Sequence, residues 1–141
     1  MPVSDLSSVA QDYLKIIWSA TEWSDQPVTV KQLAERMGVR AATVSDGIRR
    51  LAEQGLVAHE RYGGVELTEA GRAHAVAMVR RHRLIETYLV RELGYSWDEV
   101  HEEAELLEHS ASDDLVDRMA RAIGDPKTDP HGSPIPSRSG W

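Results

Sequence analysis

The sequence predicts a mainly α-helical protein, with an N-terminal winged helix-turn-helix domain followed by an all-helical domain. Three observations predict it. Two short segments with helical spacing are joined by Gly38 and followed at once by two β-type runs around Tyr62-Gly63-Gly64. From residue 68 to residue 123 apolar residues recur at steps of three and four, with breaks at Gly94 and Ser112. Charge is unevenly spread. The net charge is −7, yet residues 26–91 carry eleven Lys/Arg against seven acids, and residues 92–141 carry four against twelve. A basic middle suits phosphate, and an acidic C-terminal part suits cations.

Each element has its own signal. Residues 4–23 read as a helix on Leu6, Val9, Tyr13, Leu14, Ile17 and Trp18, capped by Ser4 or Asp5 and broken by Ser24-Asp25-Gln26-Pro27. Thr29-Val30-Lys31-Gln32 is a capping box that opens a helix over residues 30–37. A helix over residues 41–54 follows, with Val44, Ile48 and Leu51 on one face and Gly55 at its close. Residues 56–61 and 65–68 read as the hairpin, or wing. A long helix runs from Thr68 to about Leu93. Ser96-Trp97-Asp98-Glu99, a second capping box, opens a helix over residues 100–111, and Ser112 caps a last helix over residues 113–123. Residues 125–141 hold four prolines and read as an extended tail. The expected divisions are 1–72, 73–124 and 125–141.

Composition narrows the chemistry. With no cysteine there is neither a disulfide nor a thiolate metal site. At 41% hydrophobic residues the chain can build a core. No run approaches the roughly 18 apolar residues of a membrane span, so the expected setting is the cytoplasm, with no membrane partner.

Two patterns carry chemistry. In the helix expected at 100–111, His101, Glu105, Glu108 and His109 share a sector about 100° wide, beside a face of Val100, Ala104, Leu107 and Ala111. His82 and Glu86, four apart, share a face of the long helix. Carboxylate and imidazole donors without sulfur suit a hard or borderline divalent ion such as Mn²⁺ or Fe²⁺. The second helix of the helix-turn-helix begins Ala41-Ala42-Thr43-Val44-Ser45-Asp46, small enough for close approach to DNA. Arg40, Ala42, Thr43, Ser45, Asp46 and Arg49 are the expected contacts there, with Arg61 on the wing.

Asp12-Tyr13-Leu14, the winged helix, the run Arg81-His82-Arg83-Leu84-Ile85-Glu86, and the run from Val100 to His109 occur in an order that resembles the diphtheria toxin repressor family of metal-dependent repressors, in its manganese transport regulator branch. The resemblance covers residues 9 to 136. It implies a primary metal site of Asp12, Glu105, Glu108 and His109 and an ancillary site of His82, Glu86 and His101. Iron-sensing members carry Met and Cys where Asp12 and Glu105 stand; oxygen in place of sulfur favours Mn²⁺. Some manganese sensors have a carboxylate where this chain has Lys15, so two separate ions are expected rather than a bridged pair. Many members carry a third, SH3-like domain that adds ancillary ligands; residues 130–136 resemble the tether to it.

The function expected from this reading is a homodimeric, Mn²⁺-activated repressor of metal-ion uptake genes. It would bind a pseudo-palindrome of double-stranded operator DNA, with Fe²⁺, Co²⁺, Ni²⁺, Cd²⁺ or Zn²⁺ as possible surrogates. The dimer contact would use Leu106, Leu107, Leu115 and Met119. The alternatives are an Fe²⁺-responsive regulator of the same family and a winged-helix regulator sensing an organic ligand. No small organic substrate is expected. A helical carboxylate enzyme would want Glu-x-x-His twice, on two helices; the single Glu-x-x-Glu-His run here does not supply it, so no enzyme is expected.

Overall fold

The computed structural model describes residues 6–22, 24, 26–59 and 64–137. Its described elements are α1 (Ser8–Glu22), α2 (Val30–Met37), α3 (Ala41–Glu53), β1 (Val57–His59), β2 (Val65–Leu67), α4 (Glu69–Leu93), α5 (Val100–Glu108) and α6 (Asp113–Ala122). They fall into two compact units, Ser7–Ala75 and Val76 onward with Leu6. None of the described helices is long and apolar enough to cross a membrane.

The first unit is a winged helix. α1 begins at Ser8, where the Ser7 Oγ accepts the Ala10 amide at 3.1 Å as its cap; Ser4 and Asp5 lie outside the described residues. Thr29 and Gln32 form the full capping box of α2, at 3.0 and 3.1 Å. Gly38 closes α2 in the left-handed region at φ 68°, which an L side chain resists. α3 then buries Val44, Ile48 and Leu51 among Tyr13, Leu14, Ile17, Trp18 and Leu33, all of them under 4% exposed. β1 and β2 pair antiparallel with Ala58 opposite Glu66. Val28 adds a bridge to Val65, its carbonyl accepting the Val65 amide at 2.7 Å, so the wing is anchored by a third segment that alternation did not reveal. Residues 60–63, with Arg61, lie outside the described residues.

The start of α4 is pinned to the end of α3. The Thr68 amide donates to Leu56 O at 3.1 Å, and the Thr68 hydroxyl donates to Gly55 O at 2.7 Å and accepts the Gly71 amide. A Cβ on Gly71 would lie 1.8 Å from the Leu56 carbonyl oxygen. Helix propensity favours Ala over Gly by about 1 kcal/mol, yet a backbone clash outweighs it. Gly71→Ala should therefore destabilise this unit by about 3 kcal/mol, read as a lower urea midpoint; an unchanged midpoint would show that the backbone gives way.

The second unit packs α4 from Val76, α5 and α6 around Leu84, Ile85, Leu89, Val100, Ala104, Ala111, Val116 and Ala120. The capping box expected before α5 forms by half. Glu99 Oε1 accepts the Ser96 amide at 3.0 Å, but the Ser96 hydroxyl goes to Asp98 and holds that carboxyl below its usual range. α5 ends at Glu108, three residues earlier than expected, with His109 as its C-cap. Its buried face also differs. Glu108 is fully buried and Leu107 is 40% exposed, the reverse of the expected pattern. Glu108 Oε1 lies 3.4 Å from His82 Nδ1 on α4. Ser112 caps α6 as expected, accepting the Leu115 amide.

The proline-rich stretch is not an extended tail as far as residue 137. Thr128 bridges Pro134, the Asp129 amide donates to Ser133 O at 2.9 Å, and the Ile135 amide donates to Lys127 O at 2.8 Å. Ile135 packs on the core, and Arg83 Nη1 donates to the Pro134 carbonyl at 2.6 Å. Apolar anchoring and one charged hydrogen bond fold this loop back, and neither is visible in its composition.

Candidate functional site

The second unit gathers titratable groups where α4 meets α5. His82 and Glu86, one turn apart on α4, are buried. His82 Nε2 lies 3.1 Å from Glu86 Oε1 and 3.1 Å from His101 Nδ1. Its Nδ1 faces Glu108 Oε1 at 3.4 Å. His101, on the exposed side, places Nε2 3.1 Å from Glu105 Oε1. Glu105 therefore stands beside His101, one turn of α5 away, while Glu108 stands on the buried side with His109 following it. Asp12 lies half-buried on α1 in the other unit, one turn before Lys15.

The electrostatics follow from burial and pairing. Burial alone would lower the His82 pKa, but hydrogen bonds to Glu108 and Glu86 outweigh it and push the imidazole up to about 9. Burial alone would raise Glu86, but the His82 hydrogen bond and charge hold its carboxyl below the usual range. At neutral pH the cluster holds a buried imidazolium between two carboxylates. A divalent cation could take the place of that proton. The donor set fits one, because His82, Glu86 and His101 each present a ligand atom within 4.8 Å of the others. Nitrogen and oxygen donors without sulfur suit Mn²⁺, Fe²⁺ or Zn²⁺.

Three features around this cluster lay beyond the sequence reading. The basic run at residues 80–83 is spent inside the unit. Arg80 pairs with Asp117 at 3.5 Å, buried Arg81 holds the Glu108 carbonyl at 3.1 Å and pairs with Asp113, and Arg83 holds Pro134. Arg81 thereby fixes the turn that carries His109. The other two are Asp129 and His131, which the folded loop brings to Glu86. No spacing rule links residues 43 and 45 apart, so the fold alone reveals them.

In the first unit, α3 turns Ala41, Ala42, Thr43 and Ser45 to solvent, with Arg40 exposed at its N-cap and no side-chain cap. Asp46 pairs with Arg49 and, at 3.2 Å, with Arg50; Arg49 also reaches Glu53 at 3.3 Å. The Arg49 guanidinium holds the Asp46 carboxyl below its usual range. So two expected DNA contacts, Asp46 and Arg49, are each other's partners here.

Residues 5–65 match the iron dependent repressor N-terminal DNA binding domain, and residues 68–137 match the iron dependent repressor metal binding and dimerisation domain. The chain belongs to the iron-dependent repressor family, which includes the diphtheria toxin repressor. It is 39% identical over 136 residues to the iron-dependent repressor IdeR of Mycobacterium tuberculosis, a match covering 95% of this chain and 58% of that protein. Against the diphtheria toxin repressor of Corynebacterium diphtheriae it is 33% identical over 134 residues, covering 95% of this chain and 59% of that protein. Among solved structures it resembles a manganese-dependent transcriptional repressor in complex with manganese, at 61% identity and a TM-score of 0.89, over 94% of this chain and 60% of that one. The manganese regulator SloR matches at 42% identity and a TM-score of 0.82, over 92% of this chain and 60% of that one. The chain thus spans under two thirds of the length of these relatives.

Proposed function

We propose that this chain is a Mn²⁺-activated, DNA-binding transcriptional repressor that controls metal-ion uptake genes. The observation that carries the proposal is the sulfur-free cluster of His82, Glu86 and His101 in one unit of a chain whose other unit is a winged helix. In this reading those three residues form the ancillary site, while Glu105, Glu108 and His109, with Asp12 from α1, ligate the primary ion. That ion would tie α1 to α5 and so set where each recognition helix is presented. When bound, the metal supplies fixed positive charge among carboxylates. The chain's own part is to hold His82 through Glu86 and Glu108, and the turn at His109 through Arg81.

The likeness to structures of manganese-dependent repressors supports Mn²⁺ over Fe²⁺, as does oxygen at Asp12 and Glu105. The Fe²⁺-responsive reading is favoured by the identity to IdeR. Leu106, Leu107 and Leu115, exposed by 70, 40 and 49%, support a homodimer through α5 and α6. Two winged units would then reach successive major grooves. The deciding experiment selects DNA from a random pool with Mn²⁺, with Fe²⁺ under anaerobic conditions, and with neither, and then titrates the selected operator. Mn²⁺ should tighten binding most; binding indifferent to metal would overturn the proposal.

The recognition helix gives a separate prediction. If Arg49 and Arg50 meet phosphate, Asp46 competes with the DNA for them. Asp46→Ala should strengthen binding to all sequences alike and steepen the salt dependence by about one ion. Arg49→Ala should weaken all sequences alike and flatten that slope. A changed operator preference with an unchanged slope would instead place these side chains on base edges.

A further inference from the structure

In the proposed function α3 meets DNA, yet it carries a carboxylate among its arginines. In the free chain Asp46 accepts Arg49 Nη2 and, at 3.2 Å, Arg50 Nη2. The two arginines cannot serve both anions at full strength. A guanidinium that turns to a phosphate leaves this carboxylate behind, in a contact zone being stripped of water and beside the phosphates themselves. A carboxylate in that state is costly unless another donor meets it.

Tyr13 on α1 is placed to be that donor. Its side chain is buried, at 3% exposed, and its ring tip packs on α3 at Gly47, the residue after Asp46. A Cβ on Gly47 would lie 2.7 Å from Tyr13 Cε2, 2.9 Å from Cζ and 3.0 Å from the hydroxyl oxygen. Glycine is disfavoured inside a helix, and here its missing side chain is what lets the phenol reach this point. Among the described residues the hydroxyl has no acceptor. Burial first, and the Asp46 charge second, raise the phenol above its ordinary value of 10.0. At neutral pH it therefore keeps its proton and remains a donor.

We infer that Tyr13 is a positioning residue for DNA binding, its hydroxyl taking over the Asp46 carboxylate when Arg49 and Arg50 turn to phosphate. The inference rests on the reading of α3 as the helix that meets DNA. The Asp46 side chain is 46% exposed, so little packing opposes its change of partner. Neighbouring residues of α1 then have separate tasks: Asp12 serves the ion of the proposed primary site, and Tyr13 serves the acid on α3.

A double-mutant cycle on the intact chain tests it, with affinity for the operator selected with Mn²⁺ read by anisotropy in saturating Mn²⁺. Tyr13→Phe removes the hydroxyl alone and should weaken binding about tenfold, with its urea midpoint and Mn²⁺ affinity near wild type. In an Asp46→Ala background the same substitution should change affinity less than about twofold, because the acid it serves is gone. A packing role for Tyr13 would instead lower affinity equally in both backgrounds. Wild-type affinity in Tyr13→Phe, or a loss that is the same with and without Asp46, would overturn the inference while leaving the proposed function standing. If the wild-type chain binds no operator with Mn²⁺, the proposed function fails first, and this inference with it.

Discussion

Glu108→Ala should reduce operator affinity in saturating Mn²⁺ to the metal-free value, a loss of at least about 100-fold. Two roles meet at this side chain. It is fully buried at the end of α5, and in the proposed primary site it is a direct ligand. It also stands 3.4 Å from His82 Nδ1, so it holds the ring whose other nitrogen faces Glu86 and His101. In the proposed arrangement one substitution thus removes a ligand from one ion and an orienting partner from the other. Truncating a buried side chain also opens a cavity, so Glu108→Gln is the companion variant. It keeps the shape and removes the charge, and it should lose nearly as much affinity while its circular dichroism stays near wild type; its urea midpoint should fall at neutral pH, where the charged His82–Glu108 contact contributes. The measurement is anisotropy of labelled operator DNA against Mn²⁺ concentration. Normal Mn²⁺-dependent binding by Glu108→Gln would remove Glu108 from the ligands.

The winged helix was legible because its signals are local. The Thr29–Gln32 box, Gly38 and the Val44–Ile48–Leu51 face each specify their own few residues, and the chain follows them. The pairing of His82 with Glu86 was legible for the same reason, since four residues make one helical turn. What was hidden depends on contact between distant segments. The helical wheel could not tell that Glu108 rather than Leu107 turns inward, because the groups it meets there, His82 among them, belong to a segment 26 residues earlier. The role of Arg81 could not be separated from its basic neighbours until the end of α5 was seen against it. Asp129 and His131 lie in a stretch whose four prolines read as an extended tail, yet Ile135 and the Pro134 carbonyl secure it. The recognition helix shows the opposite limit. Arg40 and Arg49 are expected at DNA from the sequence and both are exposed, but Asp46 on the same turn pairs with Arg49 and Arg50 and sets the terms on which those two meet phosphate.

The affinity of the proposed His82–Glu86–His101 site for Mn²⁺ should rise about tenfold per pH unit from neutral pH toward pH 9, and the metal-free fold should weaken over the same range. Both follow from one proton. His82 has a pKa of about 9, against an ordinary value of 6.5, because Glu108 and Glu86 outweigh the burial that would lower it. The ion needs the ring nitrogen that carries this proton, so at pH 7 binding should release about one proton per ion at this site. A histidine of ordinary pKa would release only about a quarter of one. Calorimetry in two buffers of different ionisation enthalpy counts them. For stability the sign is opposite. The folded pKa lies above the unfolded one, so the contribution is fully present below about pH 6.5 and is lost as pH rises through 9. At most it is about 3 kcal/mol, counted once for His82 with its carboxylates, since the lowered Glu86 pKa reflects the same contact. Urea midpoints of the metal-free chain should therefore fall between pH 6.5 and 8.5 while Mn²⁺ affinity climbs. His82→Gln should flatten both trends. A wild-type chain whose Mn²⁺ affinity and metal-free stability rise together with pH would show that the buried imidazole is neutral and that another group sets the pH dependence.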